Sequence, residues 1–526
     1  MPTIKIPFGE TGFFSPIILD YLSQKNDLQP FYGHFPKLEN FGKQMELKTF
    51  DDQNRLILSA ALRRQYAHLS PSLATIANIT ALENPNTYTV TTGHQLNLFT
   101  GPLYFLLKII DTILLSQRLA DKYPGQYFVP VYWMATEDHD FEEIASFNFR
   151  NKKFAWDHPS GGPVGRLDTD GLVAVFRQFE QSLGPGTNAE RIRSLFSEAY
   201  LKHDNLADAT RFLANELFGT YGLVIVDGDD RELKKVFAPF ASREVETGFS
   251  FDLVTKTTEN LGYPAQVHAR EINLFYIRDG LRQRIVRQDD GYAVVDTHIR
   301  FSHGQIMEEL SAFPERFSPN VILRPLYQEL VLPNLAYVGG GGEIAYWLQL
   351  KEMFAAAGIP FPILMLRDSA MIASEKQDRR RAALGLEWAE LFLPDEMLSA
   401  LMARKHSVLE LDFTPQRLAL EKQFSDMLNI AEKTHPSFLN AVRAQQVRQL
   451  KGLANLEKKL LRAEKKNLSE LVDRALELKA ELFPGGNLQE RKSNFSEFFL
   501  QHGDAFIEKL MHKLDPLDPA FRVVIP

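Results

Sequence analysis

The sequence predicts an α/β protein: a parallel sheet with crossover helices, interrupted by two insertions and followed by a helical C-terminal third. Three observations predict it. Short apolar strands recur, and each ends in polar residues. Between residues 88 and 135 a strand, a helix and a second strand follow one another, which is the βαβ pattern of a parallel sheet. Beyond residue 375 the apolar residues adopt a helical spacing and keep it.

Composition narrows the functional classes. At 526 residues the chain is too long for one core. Its net charge of -8 argues against general nucleic-acid binding. No N-terminal stretch carries a basic segment followed by an apolar one, so secretion is not expected, and no segment approaches the ~18 apolar residues of a membrane span. The chain has no cysteine, which excludes disulfides, a cysteine nucleophile and thiolate metal sites. A cytoplasmic enzyme without membrane or nucleic-acid partners is the expectation.

Residues 1–86 read as helical and irregular, packed onto a core. The first strand is Tyr88-Thr89-Val90-Thr91-Thr92, ending at Gly93. Gly101-Pro102 is expected to open the next helix, whose Leu103, Leu106, Leu107, Ile110, Ile113 and Leu114 follow helical period. The second strand covers about 127–135. Turn signals at Ser160-Gly161-Gly162-Pro163 and Gly184-Pro185-Gly186 mark a first insertion, 146–209. The core resumes over 210–261 with a helix near 210–218 and the strand Leu223-Val224-Ile225-Val226-Asp227. β-like runs at 273–277, 284–286 and 292–295 fall in a second insertion, 262–318. Residues 319–374 complete the core with a glycine-opened helix and the strand Pro362-Ile363-Leu364-Met365-Leu366. Residues 375–526 form the helical region and tail. From Val447 to Leu482, nine of eleven positions at three- and four-residue spacing are apolar, a coiled-coil or helical-hairpin seam weakened at Glu457 and Glu464. Residues 415–434 supply a candidate antiparallel partner helix.

Four strand ends carry polar chemistry: Gly93-His94-Gln95, Glu137-Asp138-His139-Asp140, Asp227 to Asp230, and Arg367-Asp368. In a parallel sheet they converge on one edge, where such folds bind ligands. The turn from Gly93 through Thr100 and Gly101 offers backbone amides and a capping hydroxyl. Gly339-Gly340-Gly341-Gly342-Glu343 permits close approach of a ligand to the backbone. It lacks the Lys-Ser or Lys-Thr of a phosphate loop and is not a dinucleotide fingerprint. Along a strand, Asp138 and Asp140 would share a face and His139 point away, which disfavours a three-ligand metal site; no metal is expected. Asp138 or His139 is the expected proton acceptor.

With these residues in view, the chain resembles the bacillithiol biosynthesis cysteine-adding enzymes. The matching stretches are Gly93-His94-Gln95 through Phe99-Thr100-Gly101-Pro102-Leu103-Tyr104, residues 130–144, Phe237-Ala238-Pro239, residues 266–275, Leu323-Arg324-Pro325, and 337–347. His94 departs from the Gln expected in many relatives. The resemblance implies a Rossmann-like core similar to that of class I aminoacyl-tRNA synthetases, two connecting insertions, and a coiled coil that makes a homodimer. No counterpart of the synthetases' lysine-rich second signature is visible at Arg367-Asp368-Ser369-Ala370.

The implied reaction joins the carboxyl group of cysteine to the amine of glucosaminyl-malate. Asp138 and His139 are the expected catalytic residues. Substrate contacts are assigned to Gly93, His94, Gln95, Thr100, Gly101, Glu137, Asp140, Arg270, Arg324, Gly340, Gly341, Gly342, Glu343, Tyr346 and Trp347. Arg270 and Arg324 suit the malate carboxylates, with an Arg270–Glu271 ion pair as the structural alternative. ATP, with magnesium, is a candidate activator that the sequence does not establish. A nucleotidyltransferase or hydrolase on the same core, and a non-catalytic coiled-coil scaffold, are the other classes.

Overall fold

The computed structural model describes residues 3–159 and 161–525. Its centre is a five-stranded sheet: β1 (Thr87–His94), β2 (Tyr127–Met134), β3 (Val224–Asp227), β4 (Asn334–Gly339) and β5 (Ile363–Leu366). The order is β5-β4-β1-β2-β3 and every pairing is parallel. The chain builds outward from β1 to β3, then returns to β1's other side with β4. The carboxyl ends of β1 and β4 therefore flank a topological switch point, where open α/β sheets bind ligands.

β1 is rich in threonine yet central. Its polarity is satisfied within the sheet: the Thr89 and Thr91 hydroxyls donate to Asn334 Oδ1 at 3.2 and 2.8 Å, and Thr92 donates to the Val338 carbonyl at 2.8 Å. Buried hydroxyls are tolerated when paired in this way.

Helix α1 (Tyr104–Lys122) crosses from β1 to β2 and buries a broad apolar face. It starts at Tyr104 rather than at the expected Gly101-Pro102. Leu98–Thr100 forms a tight turn first, with Phe99 and Thr100 at φ of 49° and 68°. That conformation is costly for residues with a Cβ. Distant groups hold it: Asn494 Nδ2 donates to the Phe99 and Gly101 carbonyls at 2.7 and 2.6 Å, and the Phe99 amide donates to Tyr200 Oη at 2.8 Å.

Among the described residues the region between β2 and β3 holds a hairpin, Ser146–Phe149 with Lys152–Ala155, and four α-helices, Phe141–Ile144, Leu172–Leu183, Thr187–Leu201 and Leu206–Phe218. The helix expected near 210–218 begins at Leu206, capped by the Asn205 side chain. Helix α2 (Arg231–Thr247) follows β3. A second sheet of five antiparallel strands, in the order 300–302, 291–294, 281–288, 274–278 and 317–319, stands over the crevice edge. Helices α3 (Arg324–Val331) and α4 (Gly341–Leu348) flank β4. Ile4–Ile6, Phe521–Val524 and Ser369–Ile372 make a third, small sheet that returns the tail to the core.

The helical region contains a hairpin of α5 (Thr414–Ala431) and α6 (Pro436–Asn467), with its own small core of Phe424, Ala431 and Val442. The expected single seam from 447 to 482 is split. α6 ends at Asn467, and α7 (Ser469–Leu482) buries Val472, Ala475, Leu478 and Leu482 against the body. Val447 and Leu456 on α6 face outward, 67% and 57% exposed. Glu464, expected to weaken the seam, is buried and accepts from Ser407 Oγ and Asn467 Nδ2, both at 2.8 Å. Among the described residues no helix is long and apolar enough to cross a membrane.

Candidate active site

A cleft of about 740 Å³ opens at the carboxyl ends of β1, β2 and β4. Seven Lys and Arg side chains line it against four carboxylates. Several of these charges are already committed to one another, and the remainder set the chemistry.

On the β1–β4 side, Lys108 rises from α1 and is 4% exposed. Its ammonium donates to the Gly93 carbonyl at 2.9 Å and meets Glu343 Oε2 at 2.5 Å. Burial lowers the Lys108 pKa, and the Glu343 charge opposes that shift. Glu343 also accepts from the Gly340 amide at 2.8 Å and from Tyr337 Oη at 2.6 Å. One carboxylate thus caps α4, holds Tyr337 and neutralises Lys108. Trp347 stacks on the far side of Tyr337, ring centres 4.6 Å apart.

On the β2 side the strand ends at Met134, and residues 135–140 form a turn. The alternation expected for Asp138, His139 and Asp140 therefore does not apply. Asp138 and His139 both line the cleft, whereas Asp140 caps the short helix Phe141–Ile144 by accepting from the Glu143 amide. Asp138 accepts from Gln95 Nε2 and from the His139 amide, both at 2.8 Å. Burial alone would raise its pKa. The bonds from Gln95 and from the His139 amide and the charge of Arg282 outweigh burial and hold Asp138 below the usual carboxylate range. Glu137, beside it, is paired with buried Lys234, which also donates to the Phe317 carbonyl at 2.8 Å.

Arg282 comes from the second insertion and packs 3.9 Å over the Phe275 ring. Its Nη1 lies 2.6 Å from His139 Nδ1 and 3.8 Å from Asp138 Oδ1. A guanidinium only donates, so Nδ1 facing it is the acceptor and Nε2 carries the ring proton. The Asp138 carboxylate, 3.5 Å from the same Nδ1, is then a neighbour of the imidazole rather than its acceptor. His94 is different. Burial pushes its pKa well down, and Lys108 and Arg367 add to the effect, so it is neutral. Its Nε2 is buried without a partner.

Of the sequence-predicted residues, Gly93, His94, Gln95, Glu137, Asp138, His139, Arg270, Arg324, Gly340, Gly341, Gly342, Glu343 and Tyr346 line the cleft. Thr100, Gly101, Asp140 and Trp347 do not. Gly101 meets the 489–496 segment through Asn494, Thr100 Oγ1 is buried without a hydrogen-bond partner, and Trp347 is behind the Tyr337 wall. The acids after β3 also stay outside: Asp227 pairs with Arg211 at 3.4 Å and Asp229 with Arg166 at 2.7 Å. Glu271 pairs with Arg287 at 3.0 Å, not with Arg270. Among the described residues Arg270, Arg284, Arg324 and Arg491 make no ion pair, so the cleft presents uncommitted positive charge.

Sequence reasoning missed Lys108, Arg282, Tyr337, Arg491 and the role of Arg367. Lys108 did leave a signal: it is a lone cation among Leu106, Leu107, Ile109 and Ile110. Arg282 left none, because a charge on an insertion strand reads as solvated.

Residues 1–368 match the family described as "Bacillithiol biosynthesis BshC, N-terminal Rossmann-like domain", and residues 370–525 match its "C-terminal coiled-coil domain". The chain belongs to the BshC family. A BshC relative from Flavobacterium johnsoniae, named "Putative cysteine ligase BshC", is 53% identical over 100% of both chains. Relatives of the same name from Christiangramia forsetii and Cytophaga hutchinsonii are 51% and 36% identical, covering 100% and 97% of this chain and 99% and 97% of theirs. A solved structure described as "putative arginyl t-RNA synthetase" from Campylobacter jejuni aligns at TM-score 0.22 and 11% identity over 84% of this chain and 97% of that one. The Rossmann-like assignment rests on the BshC match and the sheet order instead.

Proposed function

We propose that this chain is a cysteine ligase that joins the carboxyl group of L-cysteine to the amine of glucosaminyl-malate, forming the amide of bacillithiol. The observation that carries this reading is the uncommitted cationic lining of a switch-point cleft in a chain of the BshC family. A dicarboxylate needs paired guanidinium partners, and Arg324 and Arg270 line the cleft without ion-pair partners of their own. The Arg324 guanidinium is oriented by Gln328 Oε1 at 3.0 Å and by the Tyr337 ring, 5.7 Å away.

The attacking amine must lose a proton. Asp138, held strongly ionised, is a weak proton acceptor and serves better to orient Gln95 and to favour a positive charge beside it. His139 is the better acceptor once an anionic substrate draws Arg282 from its Nδ1. A carboxylate oxygen leaves poorly, and ATP with magnesium would supply its activation. The free amides at the start of α4 and the Arg367 guanidinium are the groups that fit phosphate or ribose oxygens there. The enzyme would act in the cytoplasm as a homodimer joined through the α5–α6 hairpin.

The test is purified protein incubated with cysteine, glucosaminyl-malate, ATP and magnesium, with products followed by mass spectrometry. Bacillithiol is expected. No bacillithiol under any nucleotide condition refutes the ligase reading, and pyrophosphate release that ignores cysteine replaces it with a nucleotidyltransferase.

A further inference from the structure

Arg367 follows β5 and is 4% exposed. Its Nη2 donates to Glu490 Oε1 at 2.7 Å and its Nη1 to the Asp368 carbonyl at 2.8 Å. Its Nε has no partner although it is buried, and the residue lines the cleft. A Cβ built on Gly340 would lie 3.8 Å from that Nε, so the orphan donor sits at the residue preceding α4. The Gly340 amide is used by Glu343, but no bond from the Gly341 or Gly342 amide is found among the described residues, and a Cβ on Gly342 would meet open space. A buried donor is seldom left idle in a native protein. Here an idle guanidinium N–H and idle helix-start amides share one corner of the cleft, whose lining also includes His94 with its unpartnered Nε2.

Glu490 explains why Arg367 stays there. It is fully buried, and it comes from the segment beyond α7. Its Oε2 accepts from the Ala370 amide at 2.8 Å and its Oε1 also accepts from Ser369 Oγ at 3.2 Å. The neighbouring Gln489 clasps the Ile372 amide and carbonyl at 2.7 and 3.0 Å. The 489–491 turn is thereby fastened to the strand that follows Arg367, and its Arg491 reaches the cleft as well.

We propose that Arg367 is an oxyanion-binding residue of the cleft, acting with the start of α4, and that Glu490 is the positioning residue that fixes its guanidinium. The ligand class is a carboxylate or phosphate oxygen. The C-terminal segment is then part of the site, not merely a tail behind the helical arm. The proposal rests on the ligase reading only for the choice of probes.

The experiment is calorimetric titration of the full chain with L-malate and, separately, with inorganic pyrophosphate. Wild type is expected to bind at least one. Arg367→Gln should weaken that anion tenfold or more and Glu490→Gln threefold or more. Arg367→Lys should recover charge but not the full affinity, because an ammonium cannot keep the planar contact. Loss confined to malate identifies a carboxylate, and loss confined to pyrophosphate identifies a phosphate. Circular dichroism and thermal melting establish that each variant is folded. If Glu490→Gln does not fold, the double variant Arg367→Gln/Glu490→Gln, a neutral hydrogen-bonding pair, carries the test of the anion site, and Glu490→Asp that of positioning. No binding of either anion by wild type, or affinities within twofold of wild type in folded Arg367 variants, overturns the oxyanion site. An effect of Arg367 without one of Glu490 overturns the positioning role. Absence of bacillithiol synthesis with anion binding intact would refute the ligase reading and leave this site standing.

Discussion

Glu343→Gln should destabilise the core through Lys108. In the folded chain the Lys108 side chain is 5% exposed, with one carbonyl at 2.9 Å and one carboxylate at 2.5 Å as partners. Removing the carboxylate charge leaves a buried ammonium uncompensated, which costs about 3–5 kcal/mol. The amide also cannot accept from both Tyr337 and Gly340 and still face a cation. Lys108→Met/Glu343→Gln should return to within about 2 kcal/mol of wild type, since removing both charges removes the need for compensation. The pH dependence has a definite sign. Burial already lowers the Lys108 pKa, and loss of Glu343 lowers it further. The folded state then binds fewer protons than the unfolded state between the two pKa values, so stability rises with pH in that window. The Glu343→Gln deficit should shrink as pH rises from about 7 to 10. Urea unfolding followed by tryptophan fluorescence reports on this region, because Trp133 and Trp347 are both buried in the core. A deficit below about 1 kcal/mol at neutral pH, or one that grows with pH, refutes the reasoning.

Asp138→Asn should cost about 1–2 kcal/mol near neutral pH. A carboxyl whose folded pKa is depressed stabilises the fold above its unfolded value and loses that effect only as pH falls through the folded one, so the deficit should be flat between about pH 5 and 8. Urea titrations showing it vary by more than about 0.5 kcal/mol across that range would contradict the strongly ionised state. Nitrogen-15 spectra of labelled histidine should show His139 with Nδ1 bare and Nε2 protonated at about pH 8, and Arg282→Met should release that preference. A wild-type Nδ1–H tautomer would rule out the Arg282 contact. Excising residues 419–448, the hairpin tip carrying exposed Met427, Ile430, Phe438 and Val447, should leave the core folded and yield a monomer by light scattering. A dimer that survives the excision would place the interface elsewhere.

The parallel core, its interruptions and the crevice edge are legible in the local sequence pattern. Apolar runs such as 223–226 and 362–366 must be buried on both faces, and the polar tips after β1 and β2 then have only one edge on which to emerge. Local signals also located the antiparallel strands of 274–294 and the hairpin partner of α6. Tertiary structure decided which polar tips meet. Asp227 and Asp229 have the same local pattern as Asp138, yet Arg211 and Arg166 hold them outside the cleft. Arg282 and Arg491 enter it from segments 144 and 353 residues from Asp138. No periodicity encodes such a meeting, because it depends on how separate elements pack. The seam from 447 to 482 shows the same limit: one uniform pattern became a largely solvent-facing half and a packed half, because α7 lies against the body of the protein along its length and α6 meets it only near its end, at Glu464 and Lys465.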